Sequence, residues 1–321
     1  MKIKLFTHDD LDGVGCALVL KHIFETQAKI DVDVEYLTVR ECDSRVRGYV
    51  KKREIDDYKL TFVTDLSVSR DTAEYIDKVL YNRVNNKMNK HIQLIDHHKT
   101  ALELNEFSWA TVVMKHDNGV LASGTSLTLE FILNEFRDEL NVEEVKLGGL
   151  LKLVELIRQY DTWDWTREGG NAKANDLNLI CSIYGLNQFL ERYINFTAFS
   201  PLFNNLELAL IAKEQDECNK YVRKQLEKMV TIVKGYYRFG VVPASSYKNE
   251  ICDAINKMQG IDIAVAIDLN TGRMSFRTAK NIDLTKVVEE FGGGGHPKAC
   301  GATINDDNVL REAILKALRV E

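Results

Sequence analysis

Three short acidic signatures, each directly after a short apolar run, constrain this chain most: HDDLDG at 8–13, TDLS at 64–67 and DHH at 96–98. The preceding runs, Ile3-Lys4-Leu5-Phe6, Leu60-Thr61-Phe62-Val63 and Ile92-Gln93-Leu94-Ile95, read as buried strands, and segments with helical apolar spacing lie between them. That alternation predicts an α/β domain on a doubly wound parallel sheet. Ligands bind outside the carboxyl ends of such strands, so Asp10, Asp12, Asp65, Asp96, His97 and His98 are expected at one edge. Carboxylates gathered that closely need cations between them.

At 321 residues the chain is long enough for two domains, and its 45% hydrophobic content supplies ordinary cores. Six cysteines, at 16, 42, 181, 218, 252 and 300, form no C-x-x-C pair. This argues against a structural zinc site and a disulfide framework, and predicts a reducing, cytoplasmic setting. Asp9 and Asp10 interrupt any signal-peptide core, and no apolar stretch approaches the ~20 residues of a membrane span, so no membrane partner is expected. The net charge is −6, and the only basic cluster is Arg45, Arg47 and Lys51-Lys52-Arg53, which reads as a solvated helix face. A track for long nucleic acid would show a basic stripe.

Helices are expected over Val14 to Glu25, 69–80 and 123–136, the last opening with the capping composition Ser123-Gly124-Thr125-Ser126. Val32 to Val39 and Trp109 to Met114 read as strands. A long helical pattern from Val142 to Tyr160 leads into Asp161-Thr162-Trp163-Asp164-Trp165. A polar stretch begins at Gly169-Gly170-Asn171, and Pro201 precedes an amphipathic segment at about 204–234. The division expected is a metal-binding domain over 1–200, a connecting helix over 201–235, and a smaller α+β domain over 236–321. The last has strands over 237–242, 261–269 and 273–278, a turn at Asn270-Thr271-Gly272, and helices at 283–291 and 308–319. Long connecting helices often pair, which would make a homodimer.

His8-x-Asp10-x-Asp12 alternates, so on an extended strand end the three side chains project to one side. Asp65 and His97 close two further strands, and Asp161 sits at a helix-to-loop boundary. If His8, Asp10 and Asp65 hold one divalent ion while Asp12, Asp65, His97 and Asp161 hold a second, four carboxylates balance two dications. Two ions ~3.5–4 Å apart form the clamp that hydrolyses phosphate esters. Mixed oxygen and imidazole ligands favour Mn²⁺ over Mg²⁺, with Fe²⁺, Co²⁺ and Zn²⁺ left open. Each residue also has a blander reading: Asp10, Asp12 or Asp65 as a helix cap, and His22, His91 and His116 as surface or satisfied interior. Chance placement at three strand ends explains the set poorly.

Near the end, Phe291-Gly292-Gly293-Gly294-Gly295-His296-Pro297 is too rich in glycine for regular helix or strand and is expected to curl into an anion-binding nest. Upstream, Arg277 on a strand has the fork shape that suits phosphate, with Lys280 nearby.

Together these residues resemble the DHH phosphoesterase superfamily, in particular its members with a C-terminal DHHA1 domain. HDDLDG, TDLS, IDHHKT, YDTWDW and GGGGHPKACG resemble its ordered motifs across nearly the whole chain. The resemblance implies metal ligation by His8, Asp10, Asp12, Asp65, His97 and Asp161. It further implies His98 at the scissile phosphate, Asp96 orienting the histidines, and Arg277, Gly293, Gly294, Gly295 and His296 on the nucleotide. Its relatives include RecJ-type exonucleases, oligoribonucleases that also dephosphorylate 3′-phosphoadenosine 5′-phosphate, and cyclic-dinucleotide phosphodiesterases. The spacing H-x-D-x-D departs from the longer H-x-x-x-D-x-D of many of these oligoribonucleases, and RecJ-type sequences tend to have Asp where His8 stands. No oligonucleotide-binding barrel is visible, so a cleft between two domains suits a substrate a few nucleotides long. Tyr160, Trp163 and Trp165 stack bases at its edge or belong to the core. The expectation is a Mn²⁺-dependent phosphodiesterase releasing mononucleotides from short oligonucleotides. The alternatives are a cyclic-dinucleotide phosphodiesterase and a non-catalytic nucleotide-binding module.

Overall fold

In β1 (Lys2–His8) every residue from Ile3 to Thr7 is buried, as in a strand covered on both faces. The computed structural model describes residues 2–82, 87–88, 91–140, 144–167 and 169–304. It divides into two compact units, Met1–Glu207 and Leu208–Glu321. In the first, β1 is followed by α1 (Leu11–Leu20), which runs on in wider turns through Lys21–Gln27, then β2 (Asp31–Leu37), α2 (Val39–Lys51), β3 (Leu60–Thr64) and α3 (Arg70–Leu80). A short antiparallel pair, β4 (Tyr81–Asn82) and β5 (Lys87–Met88), precedes β6 (His91–Asp96) and β7 (Ala110–Val112). The main sheet has the order β2-β1-β3-β6-β7, with every neighbouring pair parallel.

That order reverses direction between β1 and β3, which opens a crevice at their carboxyl ends. Cys42, Val46 and Tyr49 of α2 and Ala73, Ile76 and Leu80 of α3 close on Phe6, Val63 and Leu94 from one side. On the other side α1 packs with α4 (Gly124–Leu140), α5 (Glu144–Asp161) and α6 (Lys173–Tyr193). The segment expected to be a polar stretch is therefore largely α6. Its buried positions Ala174, Leu177, Ile180 and Cys181 keep helical spacing, and non-helical geometry at Gly185 (φ 70°, ψ 163°) breaks the pattern.

The helix expected over 201–235 is α7 (Asn205–Leu226), and its last part is instead strand β8 (Val230–Lys234). Val230, Thr231, Ile232 and Val233 are β-branched, and that stiffness favours extended backbone. The second unit then builds β9 (Tyr237–Pro243), α8 (Lys248–Asn256), β10 (Ile263–Asp268), β11 (Arg273–Arg277), α9 (Leu284–Val288), β12 (Gly294–His296) and β13 (Ala299–Thr303). Its mixed sheet runs β12-β13-β11-β10-β9-β8. Alternation along β10 divides two cores: Ala264 and Ala266 face Ile251 and Ile255 of α8, while Ile263 and Val265 face Leu284 and Val288 of α9. The helix expected at 308–319 lies outside the described residues. Among the described residues no helix is long and apolar enough to cross a membrane.

One close approach sets the turn from β1 into α1. A Cβ on Gly13 would lie 1.9 Å from the carbonyl oxygen of His8. Gly13→Ala is therefore expected to cost roughly 1–3 kcal/mol through overpacking, read as a lower urea midpoint with an unchanged m-value.

Candidate functional site

The first acidic signature is not an extended strand end. β1 stops at His8, Asp10 is the N-cap of α1 with its carboxylate accepting the Gly13 amide at 3.0 Å, and Asp12 stands in the first helical turn. The bland reading of Asp10 as a cap is thus also true. His8 Nδ1 lies 2.7 Å from Asp10 Oδ2.

Asp12 is 2% exposed, and the N-terminus of α4 holds its carboxylate. The amides of Gly124 and Thr125 donate to it at 2.6 and 3.0 Å, and the Thr125 hydroxyl donates to the Asp12 carbonyl at 2.7 Å. The first turn of a helix has unpaired amides and partial positive charge, so it fixes a carboxylate in place. Ser123 and Ser126 cap the same turn reciprocally, the amide of Ser126 donating to the Ser123 hydroxyl at 3.3 Å and the amide of Ser123 to the Ser126 hydroxyl at 3.0 Å. Gly124 admits this contact: a Cβ there would sit 2.5 Å from Asp65 Cβ and 3.0 Å from Asp12 Oδ2.

Asp65 follows β3 in left-handed backbone, φ 55°, a cost of about 1–3 kcal/mol for a non-glycine residue that commonly marks functional sites. It does not cap α3, whose first turn is served by Ser69 and Asp43. Its Oδ1 lies 3.2 Å from His97 Nε2, His8 Nδ1 is 3.8 Å from Oδ2, and Oδ2 is buried without a hydrogen-bond partner. Asp161, the last residue of α5, brings Oδ2 to 3.5 Å from His97 Nε2, and Asp12 Oδ2 is 3.8 Å from the same nitrogen. Burial, then repulsion from Asp12 and Asp10, pushes the carboxyls of Asp65 and Asp161 well above the usual carboxylate range.

Two of the resulting groups, His8 with Asp10 and Asp65, and Asp12 with His97 and Asp161, each converge ligand atoms to within 4.8 Å. An orphaned carboxylate oxygen facing histidine and further carboxylates fits a divalent cation. The mutual repulsion that drives these carboxyls toward their neutral form becomes attraction around a positive ion. The oxygen and imidazole donors suit a first-row transition ion.

Beside them, Asp96 Oδ1 accepts the His97 amide and His98 Nδ1, each at 2.7 Å, while the Ser67 hydroxyl donates to Oδ2 at 2.5 Å. Asp96 therefore orients the His98 ring directly and reaches His97 only through its backbone. The hydrogen bond to Asp96 raises the pKa of His98, and burial lowers that of His97. With Nδ1 engaged, Nε2 is the ring nitrogen of His98 left for a ligand.

Sequence reasoning missed Arg158. This buried side chain joins Asp164 Oδ2 at 2.7 Å, the Leu121 carbonyl at 3.1 Å and both oxygens of Glu155, tying the end of α5 to the segment before α4. Its helical position suggests only surface charge, and its distant partner is a backbone carbonyl with no sequence signature.

In the second unit Arg277 is not an open fork. Nη1 donates to the Phe276 carbonyl at 2.9 Å and Nη2 to Asn249 Oδ1 at 2.8 Å, which leaves Nε buried without a partner. The glycine run is not a curled nest either. The amides of Gly292 and Gly293 bond the carbonyls of Glu289 and Val288, and Gly294, Gly295 and His296 form edge strand β12 against β13. Edge position makes few demands on side chains, and Gly293 and Gly295 suit close backbone approach: a Cβ would lie 2.4 Å from the Gly301 carbonyl oxygen and 2.6 Å from that of Ala299, respectively. The side chain of His296 lies outside the described set.

A profile described as the DHHA1 domain matches residues 248–320. Oligoribonuclease NrnB of Bacillus subtilis is 32% identical over 99% of this chain and 76% of its own. A 3′,5′-cyclic-nucleotide phosphodiesterase of Helicobacter pylori is 23% identical over 95% of this chain and 93% of its own. Among solved structures, an exonuclease RecJ bound to manganese shares the fold with a TM-score of 0.56 at 14% identity, covering 97% of this chain and 87% of that one.

Gly124→Ala crowds both Asp65 and Asp12 where they meet the start of α4. It is expected to weaken divalent-cation binding roughly 10–100-fold, read by electron paramagnetic resonance titration with Mn²⁺ as the probe.

Proposed function

We infer that this chain, which belongs to the DHH/DHHA1 phosphoesterase family, is a metal-dependent phosphodiesterase that hydrolyses short oligonucleotides to mononucleotides. The observation that carries this reading is the buried carboxylate Asp65, orphaned at Oδ2 and set between the histidine–carboxylate groups that end β1, β6 and α5. In this assignment His8, Asp10 and Asp65 hold one Mn²⁺, and Asp12, Asp65, His97 and Asp161 hold a second. Bound there, the ions would lower the pKa of a water and offset charge developing on the phosphoryl oxygens.

The chain's own groups then have separate tasks. The α4 amides keep Asp12 from swinging toward solvent, so the site needs no reorganisation when charge develops. His98, oriented by Asp96 and more basic for it, donates from Nε2 to a phosphate oxygen. In the second unit Arg277, Gly293, Gly294, Gly295 and His296 bind the nucleotide; the unpartnered Arg277 Nε supports this.

A short substrate is supported by the missing basic stripe and by the name of the Bacillus relative. The Helicobacter relative favours a second reading, a cyclic nucleotide. 3′-Phosphoadenosine 5′-phosphate joins the substrates to be tried. We place the protein in the cytoplasm, since none of its six cysteines forms a disulfide.

The test is product release from end-labelled RNA dimers, pentamers and 20-mers, with the bisphosphate and a 3′,5′-cyclic mononucleotide alongside, in Mn²⁺ and in chelator. Rapid Mn²⁺-dependent loss of dimer and pentamer with a slow 20-mer is expected; turnover of the cyclic substrate alone would select the second reading. Asp65→Ala is expected to lower kcat/KM by about three orders of magnitude. Arg277→Ala should act chiefly on KM, by roughly tenfold, and near-normal turnover in Asp65→Ala would sink the shared-ligand assignment.

A further inference from the structure

The exit of α5 carries three aromatic side chains with no part in the scheme above. Tyr160 meets Trp163 edge to face with ring centroids 6.4 Å apart, and Trp163 meets Trp165 in the same manner at 5.4 Å. All three are half-buried. Trp109, by contrast, is 2% exposed and belongs to the core beneath the sheet. The two exit tryptophans are therefore less buried than Trp109, although Trp165 Nε1 is itself buried without a hydrogen-bond partner.

Trp163 also has left-handed backbone, φ 64° and ψ 11°, which a bulky side chain keeps only where its surroundings impose it. Arg158 supplies that constraint, since it grips Asp164 Oδ2 at 2.7 Å and Thr162 Oγ1 at 3.4 Å while anchored to Glu155 and the Leu121 carbonyl. From the far side, Gly170 packs so tightly on Trp165 that a Cβ would lie 2.5 Å from its carbonyl carbon. The turn is held at both ends, and Trp163 stands two residues beyond Asp161, whose carboxylate converges with Asp12 and His97.

We propose that Trp163, steadied by Tyr160 and Trp165, is a nucleobase-stacking platform for the nucleotide whose phosphate meets the metal centre. The proposal rests on the phosphodiesterase reading and deepens it. Stacking on indole accepts any base, because every base has a π-face. The platform thus selects for the presence of a base rather than for its identity, and a single platform serves a short substrate as well as a long one. The edge-to-face neighbours hold the plane of the ring without covering it fully.

Two measurements on the full-length chain test this. Calorimetric titration in Mn²⁺ compares adenosine 5′-monophosphate with ribose 5-phosphate. Steady-state hydrolysis compares a diribonucleotide with its abasic counterpart, each for wild type, Trp163→Phe and Trp163→Ala. The expected result is tighter wild-type binding of the base-bearing ligand, a preference lost in Trp163→Ala and largely retained in Trp163→Phe. KM for the diribonucleotide should rise roughly tenfold in Trp163→Ala, collapsing the wild-type advantage over the abasic substrate. Equal losses on both substrates, or no change in either, would overturn the platform. If neither substrate is hydrolysed by wild type, the phosphodiesterase reading fails while the calorimetric comparison still decides the platform.

Discussion

The grip of the first α4 amides on the Asp12 carboxylate is the contact on which the rest of the first unit depends. It joins residues 112 positions apart and fastens the β1–α1 turn to the helix that packs against α1 and α5. Small residues make the approach possible: a Cβ on Gly15 would lie 2.1 Å from Thr125 Oγ1. Charge-assisted hydrogen bonds of this kind are roughly twice as strong as neutral ones, and here two act on one carboxylate.

Around that anchor the fold gathers like charges. Asp12, Asp65 and Asp161 come from a helix start, a strand end and a helix end, and none is drawn into an ion pair with lysine or arginine among the described contacts. Elsewhere the chain pairs its acids conventionally. Glu207 is fully buried and receives Arg192, Tyr184 and the Asn204 amide. The contrast separates a carboxylate that stabilises the fold from the carboxylates proposed to hold a cation.

Much of this was legible in the residues. Parallel strands covered on both faces produce continuous apolar runs, so the acids and histidines after them had to share an edge. The path of His8-x-Asp10-x-Asp12 was not legible, because spacings of two and four residues fit both an extended end and a turn entering a helix. α6 hid behind Gly185 and its asparagines, and β8 behind the Lys- and Glu-rich helix before it. The glycine run misled for a physical reason: at a sheet edge, a strand made mostly of glycine loses little packing. Arg158 left no trace at all, since its hold on Leu121 is on the backbone.

The distance along the chain between Asp12 and Gly124 has a consequence for biosynthesis. The groups proposed to hold the ion, with the amides that fix one of them, lie on β1, β3, β6, α4 and α5 together, so no fragment emerging early from the ribosome contains them all. Loading follows folding, and an ion that binds only the finished form stabilises it by mass action in proportion to the logarithm of its free concentration. Without that ion, the finished chain would lack this added stability. Metal supply would then govern how much of the protein persists as well as how fast it works.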